Sequence, residues 1–281
     1  MDPNKAPSLD GFTARFLKSC WKIIKKDLLK MVRKSQNCNK IGGSTNSTFL
    51  ALIPKEKGAT SFDRFRPISL CNIGYKFITK VIVNRIKEVL PSIIPENQGG
   101  FIQGRQIADN IILVQEAIHS SISHREKGMV IKLDLTNAFD RVNYDFLFQV
   151  MLRFGFDPGF VRWIQACIKS PWIAPLVNGR TNNFFKASRG LCQGFPLSPM
   201  LYVIQASILS FQLDRCQPHN ELLGLCISQG VKNINHAQFA DDTILLGGAS
   251  SISARIFKRE LDMYQEASGS LIKYNKSHIF S

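Results

Sequence analysis

Two aspartates stand side by side in Phe239-Ala240-Asp241-Asp242, between apolar runs, and a third sits in Ile131-Lys132-Leu133-Asp134-Leu135. An unpaired carboxylate is expensive to bury in an apolar strand, and adjacent like charges repel unless a cation neutralises them. Both costs are relieved if Asp134 meets the Asp241-Asp242 pair around divalent metal. Paired metals about 3.5–4 Å apart clamp the attacking and leaving oxygens of a phosphoryl displacement. Mg²⁺ takes hard oxygen ligands and keeps waters and substrate phosphates in its shell. The chain must therefore fold so that residues more than a hundred positions apart converge. Plainer explanations stand beside this one. Asp is a common turn residue, although Gly is the usual second residue of a two-residue hairpin turn. Asp140, six residues beyond Asp134, reads as a favourable charge at the positive end of a helix near Asn143 and is not counted as a ligand. Phe139 is either ordinary core or a wall beneath a bound sugar.

Charge points the same way. The 281 residues carry 36 Lys and Arg against 21 Asp and Glu, a net charge of +15. Residues 1–105 hold 19 basic and 7 acidic residues, a balance of +12, and the rest hold 17 and 14, a balance of +3. A basic N-terminal part beside a near-neutral part with the aspartates suits a phosphate-gripping region next to a catalytic one. A solvated basic surface is the alternative. With the aspartates, the charge implies nucleotidyl transfer on a nucleic acid. Seven cysteines form no CxxC pair, and the five histidines form no HExxH pattern, so neither a zinc site nor a disulfide framework is indicated and a reducing compartment is expected. Asn46-Ser47-Thr48 and Asn275-Lys276-Ser277 match the glycosylation triplet, but no apolar signal core opens the chain and no run reaches membrane-span length. An intracellular chain with no membrane partner is expected.

Periodicity predicts helices over 12–35, 73–90 (stopped by Pro91), 106–125, 144–154, 159–170, 197–214 and 251–267. Strands are expected at 49–54 and 129–135, at 271–274, and at 278–280. One hairpin is expected between 172–177 and 183–187 around Asn178-Gly179, and another between 233–240 and 243–246, turning on Asp241-Asp242. From residue 129 this order is compatible with a split βαβ antiparallel sheet covered by helices on one face.

The segments Lys132-Leu133-Asp134-Leu135-Thr136-Asn137-Ala138-Phe139-Asp140-Arg141-Val142, Gln193-Gly194-Phe195-Pro196-Leu197-Ser198-Pro199 and Phe239-Ala240-Asp241-Asp242 resemble, in order and spacing, three blocks of reverse transcriptases. The group they resemble is the LINE-type, non-LTR retrotransposon one, in the form abundant in plant genomes. Flanking segments agree: Lys5-Ala6-Pro7 with Asp10-Gly11-Phe12, Phe65-Arg66-Pro67-Ile68-Ser69-Leu70-Cys71-Asn72, Gln98-Gly99-Gly100-Phe101 with Gly104-Arg105, and Ser268-Gly269 with Lys276-Ser277.

The resemblance implies an α+β fold with the fingers and palm of a right-hand polymerase, fingers over 1–127 and palm over 128–281. It implies an RNA-directed DNA polymerase that extends a DNA primer on an RNA template with deoxynucleoside triphosphates. Asp134, Asp241 and Asp242 look like its catalytic, metal-binding carboxylates, holding two Mg²⁺ for which Mn²⁺ can substitute. The Leu135 backbone would approach the nucleotide phosphates, and Phe139 is similar to the steric gate against a 2′-hydroxyl. Gln193 and Gly194 match the segment packed against nucleotide and template. Arg66 resembles the residue that grips the triphosphate, and Lys276 a lysine near the leaving pyrophosphate.

Five positions depart from the pattern: Ser8-Leu9 for Gly-Pro, Cys192 for a basic residue, Phe195 for Cys and Ser207 for Glu. No thumb, endonuclease or Cys-His tail is expected within the chain, which resembles part of a retroelement polyprotein. A nuclear location follows from the resemblance, and no oligomeric state does. Two other classes compete: an inactive remnant that only binds nucleic acid, and a metal-dependent nuclease, which has no need of Phe139 or Gln193-Gly194.

Overall fold

The computed structural model describes residues 8, 10–43, 45–217, 222, 224–228 and 230–280. Lys5-Ala6-Pro7 and Leu9 lie outside them. In chain order the elements are α1 (Ala14–Ser19), α2 (Trp21–Cys38), β1 (Ser47–Pro54), β2 (Phe65–Cys71), α3 (Ile73–Ile93), α4 (Ile107–Ser123) and β3 (Gly128–Leu133). They continue with α5 (Tyr144–Arg153), α6 (Pro158–Lys169), β4 (Trp172–Val177), β5 (Arg180–Thr181), β6 (Phe185–Lys186) and α7 (Ser198–Cys216). The last are β7 (His236–Phe239), β8 (Asp242–Gly248), α8 (Ser251–Ser268) and β9 (His278–Phe280). Among the described residues no helix is long and apolar enough to cross a membrane.

Two compact units interleave along the chain. One is drawn from Met1–Arg85 with Met151–Ser198, the other from Ile86–Val150 with Pro199–Ser281. This is a different cut from the 127/128 boundary expected above, because residues 86–127 share a unit with the aspartates.

In the first unit the strands run β2-β1-β4-β5, with β6 also on β4. β1 is antiparallel to β2 and parallel to β4. The sequence pattern does not announce β2, since Pro67 argues against a strand. Its place explains it: β2 is an edge strand, and proline's missing N–H is tolerated at an edge. The Asn178-Gly179 turn forms as expected, with φ of +51° and +75°; β4 pairs first with β5 directly after the turn and then, within the expected 183–187, with β6 through Ile173–Phe185 and Trp172–Lys186. The expected helix 12–35 is two helices meeting at Cys20, whose ψ of 9° opens the turn. Buried polar groups at the start of α3 and in α6 find partners within this unit. Tyr75 donates to the Cys167 carbonyl at 2.8 Å and Trp163 Nε1 to Ser35 Oγ at 3.1 Å.

In the second unit the sheet is wholly antiparallel, in the order β7-β8-β3-β9. Alternation along β3 sends Met129, Ile131 and Leu133 into a core with Leu209 and Leu213 of α7 and Phe257 and Leu261 of α8. Val130, on the opposite face, packs with Val114 and Ala117 of α4, beside an open apolar cleft of about 800 Å³. Pro91 does not stop α3, which runs to Ile93. Its end is served by Arg105, whose guanidinium donates to the carbonyls of Pro91 (3.3 Å), Ile94 (2.9 Å), Pro95 (2.6 Å) and Gln98 (2.8 Å). These include carbonyls a helix end leaves without partners. Residues 271–274 form no strand; Ile272 makes one isolated bridge to Leu135, and Tyr274–Lys276 is a 3-10 turn.

Candidate active site

The β3–β8 ladder brings the distant aspartates together. Leu133 faces Thr243, so the next step of the register sets Asp134 against Asp242. Phe239 pairs with Asp242 and closes the β7–β8 hairpin, so its two turn residues are Ala240 and Asp241. The turn therefore lies one residue earlier than expected, and Asp242 is the first residue of β8 rather than part of the tip. The shift follows from Ala240 taking the left-handed conformation, φ +57°.

Asp134 is half-buried, while Asp241 in the turn and Asp242 at the start of β8 are exposed. The Asp241 pKa is raised, first by desolvation and then by the negative charges of Asp242 and Asp134, with its own backbone N–H opposing them. Among the described residues no three acidic, histidine or cysteine side chains are drawn together as a finished metal cage. Like charges gain nothing by closing up on their own.

The backbone around Asp134 is strapped to the segment holding Lys276. Ser277 Oγ accepts the Asp134 N–H at 3.2 Å, the Asp134 carbonyl accepts the Lys273 N–H at 2.8 Å, and Leu271 accepts the Thr136 N–H at 2.8 Å. Leu135 is held by its bridge to Ile272, and Lys276 is exposed. Phe139 follows a bend at Asn137, φ +43°, and is half-buried. Its ring stacks on Tyr202 of α7 with centroids 4.6 Å apart and planes at 20°. Tyr202 is fully buried; burial, then Tyr264, Asp241 and Asp242, raise its hydroxyl well above the usual range.

The remaining predicted residues belong to the first unit. Arg66 is exposed on β2, opposite Ile53. The Gln193 carbonyl accepts the Ser69 N–H of the same strand at 2.7 Å. Gly194 has φ +98°, and a Cβ there would sit 3.0 Å from the Ser69 carbonyl, so this turn requires glycine on two counts. The 193–194 turn and β2 thus form one local assembly. Of the departures, Phe195 is buried against Tyr75, with ring centroids 4.7 Å apart, and Ser207 is buried and donates to the Ile204 carbonyl.

Sequence reasoning missed two residues, Gln98 and Tyr202, which touch the turn and the proposed gate. Gln98 was visible only as part of a matched block, and Tyr202 only as one apolar position in a helix.

The fold matches that of solved polymerases. Telomerase from Candida albicans, solved in complex with a fragment of telomeric RNA, superposes with a TM-score of 0.60 at 14% identity, over 92% of this chain and 46% of that one. Apo telomerase from Candida tropicalis gives 0.59 at 14% identity, over 99% and 58%. The architecture is therefore that of right-hand polymerase fingers and palm. The family model for reverse transcriptase (RNA-dependent DNA polymerase) matches residues 53–281, and the chain belongs to that family. Its relatives are non-LTR retrotransposon proteins. It is 28% identical over 280 residues to the transposon TX1 149 kDa protein of Xenopus laevis, covering 99% of this chain and 21% of that protein. It is 25% identical over 242 residues to the Pol polyprotein of the element R2DM of Drosophila melanogaster, covering 86% and 22%. The chain spans about a fifth of the length of these relatives.

Proposed function

We propose that this chain performs RNA-directed DNA synthesis, adding deoxynucleotides to a primer 3′-hydroxyl on an RNA template. The observation that carries this is the β3–β8 register, whose last pair, Leu133 and Thr243, leaves Asp134 and Asp242 as the next residues of their chains beside the Asp241 turn. Carboxylate oxygens, one of them with a pKa raised first by burial and then by the charges of Asp242 and Asp134, are the donor chemistry that Mg²⁺ or Mn²⁺ would fit. Two such ions, when bound, neutralise phosphate charge and activate the attacking oxygen.

Asp134, Asp241 and Asp242 would hold the ions. The chain's other residues orient and select. Arg66 grips the triphosphate, and the Leu135 backbone lies along the phosphates. Gln193 and Gly194 pack against nucleotide and template, and Phe139 excludes a 2′-hydroxyl. The primer's 3′-hydroxyl gives up its proton to solvent water, its oxygen bonds to the α-phosphorus as the α–β phosphoanhydride breaks, and Lys276 stabilises the departing pyrophosphate. Primer and template also bind the basic N-terminal region.

Primer extension on an RNA template with Mg²⁺ and labelled deoxynucleotide tests this. Incorporation by the chain, abolished by Asp134→Asn, is the expected result. Incorporation that survives Asp134→Asn overturns the site. Template binding without incorporation favours a binding remnant, and template degradation favours a nuclease.

A further inference from the structure

Behind the turn lies a fully buried glutamine that the proposed chemistry does not use. Gln98 Oε1 accepts the N–H of Ala240 and the N–H of Gly100, both at 2.8 Å, while Nε2 donates to the Ala240 carbonyl at 3.3 Å. Two N–H groups aim at one side-chain atom, so that atom is the oxygen and the amide orientation follows. A single side chain therefore brackets Ala240 on both sides, at its N–H and at its carbonyl. Ala240 needs such a bracket, because at φ +57° its Cβ crowds the backbone in a way that only glycine escapes.

Gln98 is itself held. Its own carbonyl accepts from Arg105, and Gly99 donates to the Gln238 carbonyl at 2.8 Å. Gln238 in turn donates to the Asn97 carbonyl at 2.7 Å, so 97–99 lie beside β7 as a short parallel bridge. Gly100 completes the contact. A Cβ there would run into the Ala240 backbone, 2.9 Å from its Cα, so only glycine lets the two chains approach this closely.

We infer that Gln98 is a positioning residue, a latch that holds Ala240 in its left-handed bend and so fixes where Asp241 and Asp242 present their carboxylates. The inference rests on the proposed metal-binding role of those aspartates. Without the amide, Ala240 relaxes to φ below zero and the two carboxylates leave the Asp134 register.

The test is Gln98→Met, which keeps length and apolar volume but removes every hydrogen bond. Mn²⁺ binding to the chain alone is followed by electron paramagnetic resonance, beside thermal melting, RNA binding and kcat and KM for deoxynucleotide. Mn²⁺ affinity is expected to fall about ten- to a hundredfold, the range seen when groups supporting metal ligands are removed. kcat should fall with it, while RNA affinity and KM stay near those of the parent. Gln98→Met with Ala240→Gly should recover part of the Mn²⁺ affinity, because glycine adopts positive φ freely. Lost packing alone would not be mended by a glycine. Gln98→Asn, one methylene too short to bracket Ala240, serves if the methionine variant does not fold, and should show a smaller loss.

Unchanged Mn²⁺ affinity in a folded Gln98 variant, or a double variant no better than the single, overturns the latch. Asp241→Asn measured in parallel separates the two ideas. If it abolishes Mn²⁺ binding and the Gln98 variants do not weaken it, only the latch is wrong. If it leaves Mn²⁺ binding intact, the reading of the site falls and the latch with it.

Discussion

Phe139 has part of its ring committed to Tyr202 and part exposed, the condition of a side chain that is both supported and available. Phe139→Val should relax discrimination against ribonucleotides more than it lowers deoxynucleotide incorporation. If the ring were only packing, the change would cost about 1–2 kcal/mol of stability and depress both substrates alike. The ratio of the two incorporation rates decides, and an unchanged ratio rejects the gate. Asp241 carries a second prediction. Its folded pKa is raised, so the fold disfavours the ionised form: the metal-free chain loses stability as pH rises through the raised value and regains it on acidification. Asp241→Asn should therefore raise the melting temperature of the metal-free chain at neutral pH, although it abolishes incorporation. The gain should shrink toward the ordinary carboxylate range, and added Mg²⁺ should raise the parent alone. Melting curves with and without Mg²⁺ check this; a variant less stable than the parent at neutral pH refutes it.

The strand β7 contributes its own pH dependence. His236 at its start is fully buried, with Nδ1 against Asn235 Oδ1 at 2.6 Å and Nε2 against Asn97 Nδ2 at 3.1 Å. This pairing suits a neutral ring protonated on Nδ1, because Asn97 Nδ2 is a donor. Burial, partly offset by Asp214 and aided by Lys232, pulls the pKa down to about 4. A depressed histidine stabilises the fold above its ordinary value of 6.5, and that stability is lost as pH falls from there toward 4. The slope over that window is about 1.4 kcal/mol per pH unit for one proton. Hydrogen exchange of β7 and β8 amides should accelerate across the window, and His236→Gln should flatten the response. Exchange that is level with pH after correction for its intrinsic rate contradicts this account. The Asn97–Gly100 segment is expected to loosen with β7, since their backbones are joined.

For the molecule as a whole, charge would govern the first encounter with the proposed nucleic-acid substrate. The +12 balance of residues 1–105 against +3 for the rest assigns most of the grip to the N-terminal part of the sequence. Binding should weaken steeply with salt as condensed counterions are released. A grip on about six phosphates loses about a thousandfold between 50 and 200 mM salt. Binding should persist in Asp242→Asn, because removing one carboxylate leaves the basic surface intact. Affinity that is level over this salt range, or lost in Asp242→Asn, would contradict the assignment.

Local chemistry determined much of this by itself. Apolar periodicity is set by neighbours three and four apart, so α3 to α8 stand close to where the pattern puts them, and Asn178-Gly179 turns because both residues tolerate positive φ. The aspartates were legible for the same reason, as charges that an apolar strand cannot carry unaided. Tertiary structure decided what depends on distant partners. β2 is a strand only because β1 pairs with it at an edge that forgives Pro67, and α3 passes Pro91 because Arg105 collects the carbonyls at its end. The hairpin turns at Ala240 rather than on the aspartates, and Gln98, 142 positions away, meets that bend. A glutamine or an alanine has no periodicity or charge to betray such a role. Its meaning lies in hydrogen bonds that exist only once the chain has folded.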